Sequence, residues 1–82
     1  MIMNMYAVRD VHTGFNQPFC DSNDDSAERG FAYAINHGDI MGFAPKDFDL
    51  YCVGSFDTAN GLLNPTYPPV LVCCGTEVVK HE

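Results

Sequence analysis

The amino-acid sequence predicts an α+β fold in which one helix packs on one face of a small antiparallel sheet. Three observations lead to this prediction. The chain has 82 residues, which is enough for a single domain spanning residues 1–82 and for little more than one core. Its apolar residues follow a strand period, change once to a helix period and change back. The dipeptide Asn60-Gly61 then follows the clearest strand, as is typical of a hairpin. The predicted order is β-β-α-β-β, with an extra strand near the C-terminus.

The first two predicted strands form a hairpin. Residues 5–11 alternate weakly, with Tyr6 and Val8 on one face, and His12-Thr13-Gly14 supplies the turn. Residues 15–20 form the returning strand. Because Pro18 has no amide proton to donate, we expect this strand to be short and to lie at an edge of the sheet.

The predicted helix begins in an acidic, polar segment. Residues 21–28 supply capping side chains and negative charge, both of which favour a helix N-terminus. Asp25 and Glu28 have the spacing of a capping box. One apolar stripe follows at helical spacing and consists of Ala27, Phe31, Ala34 and Ile35. The segment Asn36-His37-Gly38 ends the helix.

The second half of the chain begins with a predicted loop. Residues 39–46 contain Gly42 and Pro45, and we expect the apolar side chains Ile40, Met41 and Phe43 to tuck under the helix end. The strand predicted at 48–57 is rich in aromatic and β-branched residues, and 62–65 return after the Asn-Gly turn. A Pro-rich break follows, and residues 70–74 are apolar enough for one more strand, whose partner the sequence does not indicate. Residues 65–82 are therefore predicted to form a C-terminal strand and tail.

The charge balance limits the partners of this chain. Four lysines and arginines stand against eleven aspartates and glutamates, which gives a net charge of -7. Such a charge repels phosphate backbones and anionic membranes at long range. No segment approaches the roughly 18 apolar residues of a membrane span, and the start lacks the basic and apolar regions of a signal peptide. We therefore expect a cytosolic protein.

The cysteines and histidines do not have the spacing of a metal site. The four cysteines include the adjacent pair Cys73-Cys74, and no C-x-x-C or H-x-x-x-H spacing occurs. In a reducing compartment we expect these cysteines to act as small apolar side chains. No nucleophile, base and orienting group occur at a catalytic spacing. The sequence therefore predicts a non-enzymatic protein with neither metal nor cofactor.

Residues 5–65 carry a set of motifs that is unusual in combination. The first block consists of Tyr6-x-Val8-x-Asp10, Gln17-Pro18-Phe19, and Asn23-Asp24 with Arg29 and Phe31. The second, more specific block consists of Pro45-x-Asp47-Phe48-x-Leu50-Tyr51-x-Val53-Gly54-x-Phe56-Asp57 and Thr58-Ala59-Asn60-Gly61-x-Leu63-x-Pro65. In these motifs the chain resembles the small nonstructural protein of gokushovirus-type microviruses, which are single-stranded DNA phages.

The resemblance implies a protein that is made during infection, acts in the host cytoplasm and is absent from the virion. Such proteins are labelled DNA-binding and are thought to help the switch from duplex replication to single-stranded genome synthesis. This chain departs from the family pattern in two places. Cys52 stands where relatives commonly carry a basic or polar residue, and the run around Cys73-Cys74 has no counterpart in the pattern.

The first functional hypothesis is weak binding of single-stranded DNA, by a homodimer that pools two small basic patches. It needs aromatic rings for base stacking and cations for the phosphates. The candidates are Tyr51 and Tyr6 as stacking platforms, and Arg9, Arg29, Lys46 and Lys80 as cations. An alternative stays open for each group. Both tyrosines can belong to the core under the helix, and Arg9 and Lys46 can pair with Asp10 and Asp47 at the surface.

The second hypothesis is an acidic protein-interaction module. Such a module dimerises through an exposed sheet edge and engages a host or phage replication protein. A net charge of -7 is no handicap for this function. The placement of the cations separates the two hypotheses, because only the interaction module remains if Arg9, Lys46 and Lys80 lie on separate faces.

Overall fold

A computed structural model describes residues 1–80 of the chain. Its elements, in chain order, are β1 Ile2–Asp10, β2 Gly14–Phe15, β3 Phe19–Asp21, α1 Asp24–His37, α2 Asp39–Phe43, a 3-10 turn Pro45–Asp47, β4 Phe48–Asp57, β5 Leu63–Cys74 and α3 Gly75–Val78. The predicted α+β class, a small antiparallel sheet with helices, is confirmed. The helical segments α2 and α3 and the 3-10 turn were not predicted.

The sheet has the strand order β2-β1-β4-β5, and every pairing is antiparallel. β3 also pairs with β1, beside β2, so the return strand predicted at 15–20 consists of two short pieces at the sheet edge. Pro18 lies between these two pieces, where no ladder amide is needed. Gly14 and Gly61 have φ of 104° and 77°, so each supplies the left-handed conformation that its hairpin turn requires.

The fifth strand corrects the prediction of a separate C-terminal strand. The predicted segments 62–65 and 70–74 belong to one strand, β5, and both pair with β4. Pro65 lies opposite Gly54 and Val70 lies opposite Cys52, so residues 66–69 face Val53 alone and bulge out of the ladder. The bulge explains why the sequence looked like two strands. α3 then occupies part of the predicted tail, and His81 and Glu82 lie outside the described residues.

The N-cap of helix α1 lies two residues earlier than predicted. The side chain of Asn23 accepts a hydrogen bond from the Ser26 amide at 2.8 Å, so Asn23 is the N-cap. The predicted capping box of Asp25 and Glu28 is therefore wrong, because Asp25 already lies inside the first turn. The predicted apolar stripe does face the sheet, with Ala27, Phe31 and Ile35 buried.

The segment after α1 differs from the predicted loop. It contains α2, from which Met41 packs against the core. Ile40 and Phe43 are 70% and 89% exposed, so the prediction that they tuck under the helix end is wrong. In a helix Ile40 and Phe43 lie three residues apart on one face, and Met41 lies on another, so the direction of Met41 toward the core leaves the other two in solvent.

The core lies between α1 and one face of the sheet. Its buried residues are Tyr6, Ala27, Phe31, Ile35, Phe48, Leu50 and Cys73. The other helical segments lie on the same side, since Met41 of α2 and Val78 of α3 pack against this cluster. α1 has 14 residues and spans about 21 Å at 1.5 Å per residue, whereas the molecule is 44 Å long. The β4–β5 hairpin therefore extends past the helix.

Candidate functional site

The second face of the sheet has no helix over it in the described part of the chain. Side chains alternate between the two faces of a strand. Residues that alternate with the core residues of β1 and β4 therefore point away from α1. We call this surface the open face. It is formed by Met3, Met5, Ala7, Arg9, Phe15, Asp49, Tyr51, Val53, Phe56, Leu63 and Leu71.

The open face is ordered in rows across the strands. In one row, Arg9 lies between Phe15 and Asp49. In the next row, Tyr51 lies between Ala7 and Leu71. The rings of Phe15 and Tyr51 meet edge to face with centroids 5.4 Å apart, which joins the two rows. Phe15 and Leu71 each keep 49% of their surface exposed to solvent.

A shallow apolar hollow continues the open face toward the β4–β5 hairpin. It encloses about 350 Å³ and is lined chiefly by Met5, Pro18, Val53, Leu63 and Pro65. The hollow lies beside the bulge of β4, where Val53 is the extra residue between the positions paired with β1. The open face is therefore an apolar surface that runs along most of β1.

Charge is separated between the two sides of the sheet. Arg9 and Asp49 are the charged residues that the described strands direct to the open face, and their charges cancel. The other acidic residues of the described chain lie on the helical segments, in the connecting segments or in strand positions on the helix side. Glu77 of α3 comes to the edge of the open face, because it and Asp49 both hydrogen-bond with the Cys74 thiol. A protein of net charge -7 thus has one neutral, apolar surface.

A second candidate surface lies on the outer side of α1. Arg29, Tyr33 and His37 follow one another at four-residue spacing, which places them on one line of the helix. With Ala32, Asn36 and Lys80 they enclose a cleft of about 210 Å³, which we call the basic cleft. Asn36 brings the C-terminal segment to this place, because its Oδ1 accepts a hydrogen bond from the Lys80 amide at 2.9 Å and its Nδ2 donates one to the Val78 carbonyl at 3.0 Å.

The basic cleft combines an exposed aromatic ring with two cations. Tyr33 is 69% exposed, and its ring lies over His37 at 4.4 Å between centroids with a 36° tilt. The charge of Arg29 is partly offset by Asp21. Hydrogen bonds from Ser26 and from the Ser22 amide hold the pKa of Asp21 below its usual range, and Arg29 lowers the pKa further. The positive potential of the cleft is therefore small.

The sequence matches a family model described as Phage ORF5 protein over residues 3–78. The chain belongs to this family. The match covers nearly all of β1 and every later helix and strand, and so includes the whole open face. The resemblance to a phage protein is confirmed at this level. No curated protein and no solved structure matches the chain.

Tyr6 of this phage protein is not available for base stacking. It is 0% exposed, and its hydroxyl donates to the Asp24 carboxylate at 2.6 Å and accepts from Asn4 at 3.1 Å. Burial and the hydrogen bond to Asp24 raise the pKa of Tyr6 to about 12. The structure therefore contradicts Tyr6 as a stacking platform and supports the alternative that it belongs to the core.

The remaining predicted residues of the phage protein do not form one groove. Arg9 and Tyr51 lie on the open face, so the structure contradicts the alternative that Tyr51 belongs to the core under the helix. Its neighbours in β4 supply the core, and strand alternation turns Tyr51 away. Lys46 lies in the 3-10 turn. Arg29 and Lys80 meet in the basic cleft, on the other side of the sheet.

The ion pairs also differ from those predicted. Among residues 1–80 the Met1 amine pairs with Asp57 at 3.6 Å, and His12 Nε2 lies 3.2 Å from Asp47, a contact that becomes an ion pair when His12 is protonated. The predicted pairs of Arg9 with Asp10 and of Lys46 with Asp47 are not formed. Arg9 instead lies opposite Asp49, because residues paired across an antiparallel ladder share a face and sequence neighbours do not.

Tyr33, His37 and the open face were not predicted as functional from the sequence. The four-residue spacing of Arg29, Tyr33 and His37 was a usable signal, but only the apolar stripe of this helix was followed. The open face was missed because its residues look like core residues in the sequence. Phe15 and Leu71 are as apolar as any buried side chain, and only the topology shows that no helix is left to cover them.

The thiols and other potential ligands form no reactive centre in the described part of the chain. Burial raises the pKa of Cys73 to about 12 and that of Cys74 to about 11, with Asp49 contributing to the second. Both thiols are therefore protonated and weakly nucleophilic near neutral pH. Residues 1–80 contain no group of three or more His, Cys, Asp or Glu side chains placed to hold a metal ion. They also contain no helix long and apolar enough to cross a membrane.

Proposed function

We propose that this phage protein is a non-enzymatic protein-interaction module of a gokushovirus-type microvirus, which acts in genome replication by engaging a host or phage replication protein. It works in the host cytoplasm and is not a component of the virion. The observation that carries the proposal is the open face, an apolar and neutral surface on an otherwise acidic protein.

Exposing the apolar open face to water costs free energy. Monomeric soluble proteins rarely leave large contiguous apolar patches in water, and such patches commonly mark interaction sites. The open face has half-exposed Phe15 and Leu71 at its two sides and Tyr51 between them. Aromatic side chains in this position are typical of interface centres. The separation of Arg9 and Lys46 from Lys80 also favours this function over a basic groove.

A binding experiment with a matched control tests the proposal. The purified protein is titrated by calorimetry against the purified replication proteins of its phage and host. We expect F15S/L71S to weaken the complex at least tenfold, because both side chains lose apolar contact area. The control I40S/F43S removes an equally apolar pair, 70% and 89% exposed on α2, and should bind like the unsubstituted protein. Equal binding by F15S/L71S and the unsubstituted protein would refute the open face as the docking surface.

The separation of Arg9, Lys46 and Lys80 excludes a groove formed by these three cations, so a second candidate function, weak binding of single-stranded DNA, rests on the basic cleft alone. Arg29 and Lys80 can contact phosphates there while a base stacks on the exposed ring of Tyr33. Two phosphate contacts predict a slope of about -1.4 for the logarithm of affinity against the logarithm of salt concentration, since each contact contributes roughly -0.7 on single strands.

Fluorescence anisotropy with a labelled oligonucleotide at low and moderate salt tests this second function. We expect R29A/K80A to abolish the salt-dependent binding, and Y33A to weaken it by about 1–3 kcal/mol for one lost stacking contact. K46A, which lies outside the cleft, is the matched charge control. The absence of salt-sensitive binding at tens of micromolar protein would exclude the DNA function and leave the interaction module untouched.

A further inference from the structure

We propose that the open face binds a second copy of this chain, around a twofold axis that runs parallel to the strands between β1 and β4. The inference rests on the proposed function, in that both treat the open face as a protein-docking surface. It goes further by naming a second copy as the occupant of this face in the free protein, which a replication protein must displace because both cannot cover the face at once. The outcome is a ten-stranded sandwich, five strands from each copy, with the helices on its two outer sides.

The twofold axis pairs the residues of each row with complementary partners. An axis between β1 and β4 places β1 of one copy over β4 of the other. Arg9 then lies over Asp49 of the second copy, and Asp49 lies over its Arg9. In the next row the ring of Tyr51 lies over position 7 of the second copy, where Ala7 is already covered by its own chain, so the contact of this row comes from the two tyrosine rings and the residues around Ala7. Such self-complementary pairs are what a twofold interface requires.

The size of the open face is sufficient for a specific dimer. β1 has nine residues, which span about 30 Å, and the four strands in the order β2-β1-β4-β5 are about 19 Å wide. These dimensions give about 570 Å² for each copy and about 1,100 Å² for the pair, which exceeds the roughly 1,000 Å² expected of a biological interface.

The charge distribution favours a second copy on this face over any other contact between copies. Each chain carries a net charge of -7, so two copies repel each other through most of their surfaces. The open face has a balanced charge, and the proposed arrangement converts its one cation and one anion into two intermolecular pairs. Apolar burial can therefore act across this face without the repulsion that opposes it elsewhere.

The sheet edge is a poorer site for a second copy. β5 is the outer strand, but Pro65, Pro68 and Pro69 have no amide protons, and residues 66–69 bulge out of its ladder. Prolines and bulges are the features that prevent edge-to-edge pairing of strands. The other edge consists of β2 and β3, which have two and three residues. The proposed dimer therefore uses the face, in place of the edge predicted from the sequence.

Two charge-reversal variants test the arrangement. R9E and D49R are each studied by sedimentation equilibrium from 1 to 200 micromolar. In each variant alone, position 9 and position 49 of opposite copies carry like charges, and we expect the dimer dissociation constant to rise at least tenfold. In an equimolar mixture, each variant chain meets opposite charges in the other, so a heterodimer should recover the affinity of the unsubstituted protein. Contacts within one chain are unchanged by mixing, so the recovery reports contacts between copies.

The control variant, R29E, reverses a charge in the basic cleft, away from the open face, and should leave dimerisation unchanged. If a charge reversal unfolds the chain, F15S/L71S provides an uncharged test and should raise the dissociation constant at least tenfold. A monomer at 200 micromolar, or a dimer that none of these variants weakens, would overturn the inference. A monomeric protein whose binding to a replication protein is lost in F15S/L71S would overturn only the second-copy inference and would retain the proposed function.

Discussion

The hydroxyl of Tyr6 is a specific link between the sheet and the start of α1, and its removal is predicted to destabilise the fold. It donates to Asp24 at 2.6 Å and accepts from Asn4 at 3.1 Å. A hydrogen bond to a charged group contributes about 1.5–3 kcal/mol. Because the Asp24 residue is exposed, its carboxylate regains water in Y6F, so we expect the lower half of that range, about 1.5–2 kcal/mol. For a chain of this size the expected fall in Tm is roughly 6–16 °C.

Urea denaturation followed by circular dichroism measures this loss as a fall in midpoint at unchanged slope. Y33F is the matched control, since the Tyr33 ring is 69% exposed and lies on the outer side of α1. A double-mutant cycle of Y6F with D24N isolates the pair and should give a coupling energy above about 0.5 kcal/mol. A change of less than about 0.5 kcal/mol in Y6F would refute the structural role given to this hydroxyl.

The same residue predicts how stability depends on pH. The pKa of Tyr6 is raised from 10.0 to about 12 by folding. In the unfolded chain the phenol loses its proton near pH 10, whereas the folded chain keeps the proton to about pH 12. The contribution of Tyr6 is therefore fully present below pH 10 and is lost as the pH rises toward 12. Urea midpoints between pH 9 and 12 should fall more steeply for the unsubstituted protein than for Y6F, and parallel curves would contradict the assignment.

Three further predictions concern packing and reactivity. L50A should lose about 2–5 kcal/mol in urea denaturation, because Leu50 is 0% exposed at the centre of the core; a loss below 1 kcal/mol would show that the site is not packed. G75A should lower the free energy of unfolding by about 1–3 kcal/mol, because a Cβ there presses on carbonyl oxygens of the 3-10 turn and of β4. The Cβ of G30A meets nothing within 4 Å, so this substitution should stabilise α1 by up to about 1 kcal/mol. Equal midpoints for the two alanine variants would contradict this packing. A thiol reagent at pH 7.5 should modify exposed Cys20 rapidly and Cys73 only on unfolding, since burial raises the pKa of Cys73 to about 12; mass spectrometry of digested samples identifies the order.

The elements with a strong local signal were predicted well from the sequence. The stripe on α1 and the Asn60-Gly61 turn depend on residues close together in the chain, and both occur in the structure. β5 was divided wrongly because its continuity depends on pairing with β4 across a four-residue bulge. Local sequence contains no information about that pairing. The N-cap was misplaced because several adjacent polar residues were all suitable, and in the structure it is Asn23 that accepts the hydrogen bond from the Ser26 amide.

The candidate site was less predictable than the fold for the same physical reason. An apolar strand residue lies in the core only if a second layer of structure covers its face of the sheet. The described helices of this chain cover only one face. Tyr6 and Tyr51 have similar sequence surroundings and lie on opposite faces. Arg29 and Lys80 are distant in sequence, and the hydrogen bonds of Asn36 bring them into one cleft.

The bulge at residues 66–69 gives the chain one position where its length can change freely. The two halves of β5 are held to β4 by separate sets of pairings, on either side of Val53. Extra residues inserted between Pro65 and Val70 therefore enlarge a solvent-exposed protrusion, in which Tyr67 is already 91% exposed, without shifting the register of either half. We expect insertions and deletions among related phage proteins to concentrate there. A peptide epitope or a fluorescent probe placed at the same point would label the protein without changing the pairing of β4 with either half of β5.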